Sequence, residues 1–138
     1  ELLFSKDNCT RNLVFSDAVK FRQVVINLVA NSIKFTINGV IRITISIAHK
    51  VGDDYEIITT VSDSGTGIPE EKLGSIFDPF VSLKEGDKAS YSSGLGLTIC
   101  REFVNMLNGE ITVESKVGLG AKFTLRIPYT YKYPQQIC

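Results

Sequence analysis

The chain has 138 residues, 43% of them apolar, enough for one α/β-sized core and too few for two well-formed domains. Lys plus Arg and Asp plus Glu each number 15, so the formal net charge is zero; the basic surplus that a phosphate backbone selects is missing, and no nucleic acid is expected as a partner. Three cysteines, Cys9, Cys100 and Cys138, form no CxxC pair, which argues against a disulfide framework and a zinc site and for a reducing, cytoplasmic setting.

In chain order, residues 1–15 are read as an N-terminal strand region. Residues 17–35, "DAVKFRQVVINLVANSIKF", predict one long helix, capped by Ser16 or Asp17 and free of Gly and Pro. "VIRITISIAHK" (40–50) and "YEIITTVSD" (55–63) are β-rich runs joined by the hairpin signal "VGDD". "PEEKLGSIF" offers a short helix with Pro69 at its start and two acids in its first turn. Residues 81–93 are small, polar and aperiodic, and read as a mobile loop. "GLGLTICREFVNMLNG" predicts a helix opened by glycines and closed by Gly109 at its C-cap. "EITVES", "KVGLG" and "AKFTLRIP" close the domain as a β-hairpin, and residues 129–138 form a tail or linker. The expected class is α+β: a two-layer α/β sandwich with helices on one face of a mixed sheet, a single domain over 1–138. No run approaches the roughly 18 apolar residues of a membrane span, so no direct membrane insertion by this chain is expected. The first residue is Glu1, and the chain reads as a piece of something longer.

Three stretches carry chemistry. On the long helix Gln23, Asn27 and Asn31 recur every four residues, with Lys34 three further on, so the four share a face. A solvent-facing side is the plain alternative, yet amide oxygens suit Mg²⁺ and an ammonium suits phosphate. In "VSDSGTGIP" (61–69) Asp63 ends a strand, and Gly65 and Gly67 remove side chains that would keep a planar ligand off the backbone. A carboxylate there accepts from the exocyclic amine of adenine and repels the oxygen at the same place on guanine. "SSGLGLTI" (92–99) opens a helix with free backbone N–H groups, a phosphate-binding arrangement that fits neither a Walker A loop nor GxGxxG.

"NLVANSIKFT", "DSGTGI", "IFDPF" and "GLGLTI" resemble, in order, the N, G1, F and G2 boxes of the ATP-binding catalytic domain of sensor histidine kinases. That domain belongs to the GHKL superfamily with gyrase, MutL and the heat-shock chaperone ATPases and has the Bergerat fold. The resemblance runs from about Ser16 to Pro128 and implies ATP and Mg²⁺ as cofactors. Asn31 would coordinate Mg²⁺ with Asn27 supporting the same site, Lys34 would contact phosphate, Phe35 would lie near adenine, and Asp63 would take its amine. Gly65 and Gly67 would admit the base beside Ile68; Phe77 and Phe80 would root the lid at 81–93; Ser93, Gly94, Leu95, Gly96 and Leu97 would form the phosphate side. Lys84 and Lys88 are the lid cations, and Ser92 and Ser93 stand where the family commonly has glycines.

The resemblance implies a two-component, possibly hybrid, kinase that donates the ATP γ-phosphate to a histidine on a separate dimerisation domain, with a response-regulator receiver domain downstream in the phosphorelay. Asn27 stands where ATP-hydrolysing relatives typically have a glutamate, so slow hydrolysis is expected. His49, the one histidine, reads as a surface residue of an edge strand and not as the phosphoacceptor. A reading of a different class is a degenerate nucleotide-binding regulatory or scaffold module that does not transfer phosphate, to which Ser92 and Ser93 point.

Overall fold

The computed structural model describes residues 2–6, 15–79 and 96–130, with side chains from 18 onward in the last two stretches. The elements are β1 (Leu2–Lys6), α1 (Phe15–Phe35), β2 (Ile41–Val51), β3 (Asp54–Asp63), α2 (Glu70–Leu73), α3 (Gly96–Met106), β4 (Glu110–Lys116) and β5 (Gly120–Thr130). The five strands form one sheet in the order β1-β2-β3-β5-β4. β1 runs parallel to β2 and every other pairing is antiparallel, so the sheet is mixed. It is the expected two-layer α/β sandwich.

Strand alternation decides which face the helices cover. Ile57, Thr59 and Val61 of β3 are buried, as are Ala121, Phe123, Leu125 and Ile127 of β5 and Ile41 and Ile43 of β2. The opposite face is polar, carrying for example a Glu56–Arg126 ion pair at 2.9 Å and Lys50 at 3.5 Å from Glu56. α1 lies over β2 and β3, α3 over β4, and the two helices pack on each other. α1 contributes a buried ridge of Val24, Leu28 and Ser32, four residues apart. Its outward side carries Val19, Ile26 and Ile33, all exposed, so this core uses only part of the helix's apolar surface. Each fully buried branched side chain such as Leu28 or Leu125 contributes about 1.5–3 kcal/mol relative to exposure.

Most boundaries shift by one or two residues from the sequence reading, but α2 stops at Leu73, four residues short of Phe77. α1 already runs from Phe15, so Ser16 and Asp17 lie inside the helix and do not cap it. The C-cap of α3 differs as well. α3 ends in a Schellman arrangement: the Gly109 N–H donates to Val104 O (2.9 Å) and the Asn108 N–H to Asn105 O (3.0 Å). The left-handed residue is Asn108, at φ 57, and not Gly109. Gly109 is required for another reason, since a Cβ there would stand 2.6 Å from the Arg126 carbonyl oxygen on β5. At the β2–β3 turn Gly52 takes φ 55, as the hairpin signal implies. His49 lies at this turn, exposed, its Nε2 2.8 Å from Gly52 O and its ring 5.0 Å from that of Tyr55. It lies beyond the stretch of β2 that β1 pairs. The loop at 81–93 and the tail from 131 fall outside the described residues. No described helix is long and apolar enough to cross a membrane.

Cys100 is fully buried between α3 and α1, its thiol 3.7 Å from Val24 O. Burial pushes it up from 9.0 to about 11, partly offset by the Asn27 side chain and a backbone hydrogen bond. Between those values the unfolded chain has released the proton and the folded chain still holds it. The stability that the neutral buried thiol contributes is therefore complete below about pH 9 and is lost as pH rises toward 11. Urea unfolding of wild type and Cys100→Ala across pH 8 to 11 should show the wild-type advantage shrinking on the order of 2 kcal/mol over that window.

Candidate functional site

At the end of β3, Asp63 is in phase with the buried residues Ile57, Thr59 and Val61, so its side chain emerges on the helix-covered face. Its Oδ1 accepts the Gly65 N–H at 2.9 Å and the Ala121 N–H at 3.3 Å. One carboxylate oxygen thus holds the turn to β5; the other has no partner among the described residues, and Asp63 lines a cleft. The cleft, about 410 Å³ measured to its open mouth, is lined by Asn31, Ser32 and Phe35 of α1, Asp63, Thr66, Gly67 and Ile68 of the turn, Leu97 of α3, and Ala121 and Phe123 of β5. The mix of apolar walls with a few polar groups is typical of small-molecule sites.

Three backbones meet at the turn. The Phe35 carbonyl accepts the Thr66 N–H at 3.2 Å, and the Thr66 carbonyl accepts the Gly118 N–H at 2.8 Å from the β4–β5 turn. Ser115 Oγ accepts the Ile68 N–H at 2.8 Å and donates to Gly120 O at 2.7 Å. The space a Cβ would take at Gly65 is filled by the Phe35 carbonyl, at Gly67 by the Lys116 carbonyl and at Gly120 by the Asp63 carbonyl. Gly67 and Gly120 also take φ 75 and 89, which a side chain opposes. The sequence reading gave ligand approach as the reason for glycine at 65 and 67; the structure supplies a reason of its own, since the protein's backbone fills the space a Cβ would take. Gly67 lines the cleft nonetheless.

The polar stripe of α1 divides. Asn31 lines the cleft, whereas Asn27, half-buried, accepts a hydrogen bond from the exposed Gln23 (Nε2 to Oδ1, 3.2 Å) and is not part of the lining. Lys34 is half-buried with its Nζ 5.6 Å from the Phe35 ring centroid. At the other wall α3 begins at Gly96, with no acidic residue in its first turn; no described residue comes within 4 Å of where a Gly96 Cβ would be. The chain at Phe77 is tied to α3, since Thr98 Oγ1 donates to Phe77 O at 2.9 Å and Phe77 packs edge-on against Phe123 at 6.3 Å. Phe80, Lys84, Lys88, Ser93, Gly94 and Leu95 lie outside the described residues.

Sequence reasoning missed Ser32, Thr66, Ala121 and Phe123. Ala121 and Phe123 reach the cleft only through the β3–β5 register, which sets Asp63 opposite Ala121 and Val61 opposite Phe123. Ser32 did leave a signal, a small polar residue in phase with Val24 and Leu28. Among the described residues no group of three or more His, Cys, Asp or Glu could hold a metal, so any cation here would depend on amide oxygens, water and the ligand itself.

Residues 16–131 match the family described as histidine kinase-, DNA gyrase B-, and HSP90-like ATPase. The sensor histidine kinase RcsC of Escherichia coli strain K12 is 38% identical over 122 residues, 87% of this chain and 12% of RcsC. The autoinducer 2 sensor kinase/phosphatase LuxQ of Vibrio parahaemolyticus is 38% identical over 117 residues, 83% of this chain and 14% of LuxQ. The chain thus spans a small part of the length of the curated relatives it matches. Among solved structures, the nucleotide-free catalytic domain of the histidine kinase ThkA is similar at a TM-score of 0.69 and 32% identity, over 92% of this chain and 76% of that one.

The clasp of glycines is open to a direct test. Gly120→Ala, which must displace the Asp63 carbonyl at an unfavourable φ, should lower unfolding free energy by more than about 2 kcal/mol in urea. Gly74→Ala is the control: at φ −72 with no described neighbour within 4 Å, it should change stability by less than about 1 kcal/mol or raise it.

Proposed function

The chain belongs to the histidine kinase-, DNA gyrase B-, and HSP90-like ATPase family, as the ATP-binding domain of a histidine kinase, and from that premise we propose that it binds ATP with Mg²⁺ and donates the γ-phosphate to a histidine on a separate phosphoacceptor domain. The observation that carries the reading is the divided carboxylate of Asp63. One oxygen is fixed by two backbone N–H groups; the other is left for a ligand in the cleft that Asp63 lines, where an exocyclic amine would be its natural partner. Guanine would present an oxygen there, leaving both groups unpaired.

The remaining walls fit the rest of the nucleotide. Ile68, Leu97 and Phe123 offer apolar surface for a base. Gly96, with no described residue within 4 Å of where a Cβ would stand, begins an eleven-residue helix whose N–H groups and dipole favour phosphate. Asn31 would hold Mg²⁺ through its amide oxygen, the ion completing its shell with phosphate oxygens and water, as its preference for hard donors requires. When bound, the ion would offset charge on the phosphates during transfer. Asn27, an amide already bonded to Gln23, supplies no general base for water, which agrees with holding ATP for a histidine instead of hydrolysing it.

The acceptor is assigned to another domain. His49 pairs in register with Tyr55, eight residues along β3 from Asp63, about 26 Å at strand spacing. A receiver domain downstream, and a parent kinase whose cytoplasmic portion contains this domain, belong to the same proposal.

Calorimetric titration with a non-hydrolysable ATP analogue and Mg²⁺ should give binding that exceeds that of the GTP analogue by at least about tenfold. Asp63→Asn keeps an oxygen for Gly65 and Ala121 but turns a donor toward the amine, so the fold should persist while affinity drops at least about tenfold. Asn31→Ala should weaken binding chiefly in the presence of Mg²⁺. Mixing with a cognate dimerisation domain should then yield phosphohistidine; binding without any transfer would instead identify a regulatory nucleotide-binding module.

A further inference from the structure

Among the described residues three buried hydroxyls have no hydrogen-bond partner: those of Ser32, Thr36 and Thr59. Their positions differ. Thr59 lies on β3 and does not line the cleft, and the Thr36 hydroxyl is turned to the 63–67 turn, 2.8 Å from where a Gly65 Cβ would be. Ser32 alone of the three lines the cleft, one residue after Asn31 and together with Asp63 and Ala121. It is 2% exposed. Native proteins pair nearly all buried polar side chains, and a helix serine can usually pair with the carbonyl one turn back. An unpaired hydroxyl in the wall of a ligand cleft therefore points to the ligand as its partner.

We propose that Ser32 is a second base-reading residue, its hydroxyl donating to the purine ring nitrogen beside the exocyclic amine that Asp63 takes. The inference rests on the adenine reading of the cleft. Along that edge adenine presents a donor, the amine, followed by an acceptor, the N1 nitrogen. Asp63 and Ser32 supply the complementary acceptor and donor. The neighbouring lining residues Ile68, Leu97, Ala121 and Phe123 are apolar and offer that nitrogen nothing, and the Thr66 hydroxyl is directed at Gly67 O, 3.5 Å away. A base bound through Asp63 without Ser32 would have an acceptor buried and unpaired, with a hydroxyl equally unpaired opposite it. Each group removes the other's desolvation penalty.

The test is a two-by-two titration of the 138-residue chain with ATP and with 1-deaza-ATP, which carries C–H in place of that nitrogen, using wild type and Ser32→Ala in Mg²⁺. Wild type should bind ATP about three- to tenfold more tightly than the deaza analogue. Ser32→Ala should lose that same factor toward ATP and no longer distinguish the two. A Ser32→Ala protein that keeps the wild-type preference, or that loses affinity equally for both nucleotides, would overturn the assignment, because a purely structural hydroxyl does not sense one ring atom. If Ser32→Ala fails to melt cooperatively, Ser32→Cys, close in volume and a poor donor, takes its place in the same comparison. Wild type that binds ATP without preferring it to the deaza analogue overturns this inference alone. Wild type that binds neither overturns the adenine reading with it.

Discussion

Everything at the site depends on the close approach of three backbones around residues 63–67. The C-terminal carbonyl of α1 at Phe35, the Lys116 carbonyl before the β4–β5 turn, and the Asp63 carbonyl itself each occupy a place where a side chain would otherwise be. Hydrogen bonds from Thr66, Gly118, Ile68 and Ala121 run across the junction. Such contacts are short because no Cβ intervenes. A turn held on both sides in this way has little freedom to reorient, and a recognition group on it is pre-organised.

That constraint explains how one carboxylate both shapes the protein and lines the cleft. Asp63 uses Oδ1 to cap its own turn and reach β5, which leaves the second oxygen fixed in direction without further supporting residues. Oxygen geometry set by backbone donors costs no side-chain ordering when a ligand arrives. On the same wall, the buried ridge of α1 changes character along its length. Val24 and Leu28 seal the core, and Ser32, in phase with them, arrives at the cleft. A single helical period thus passes from the core to the cleft wall within about two turns.

The two helices form different walls of the cleft. α1 brings Asn31 and Phe35 to one side and α3 brings Leu97 to the other. They are fastened by their mutual packing and by Cys100 against Val24. Phe77 and Thr98 tie the end of the stretch after α2 to the start of α3. The relative placement of amide, carboxylate and helix N-terminus is therefore a property of the sandwich and not of any one motif.

Much of this was legible in the chain itself. Periodicity gave the long helix, the two central strands and the closing hairpin, because burial of one face repeats every 3.6 or 2 residues whatever lies opposite. The boxes around Asn31, Asp63 and Gly96 identified the family, because groups that meet a nucleotide need particular residue types at short spacings. What the sequence could not supply were distances between segments far apart in the chain. Ala121 and Phe123 enter the cleft through strand register, Asn27 turns aside toward Gln23, and Asn108 takes the left-handed cap that the glycine beside it suggested. Residue identity alone shows that Gly65 and Gly67 are glycines; only the tertiary structure decides that backbone, and not ligand, fills the space beside them. Local pattern is written in neighbouring residues, whereas a close approach depends on two segments that the chain keeps dozens of residues apart.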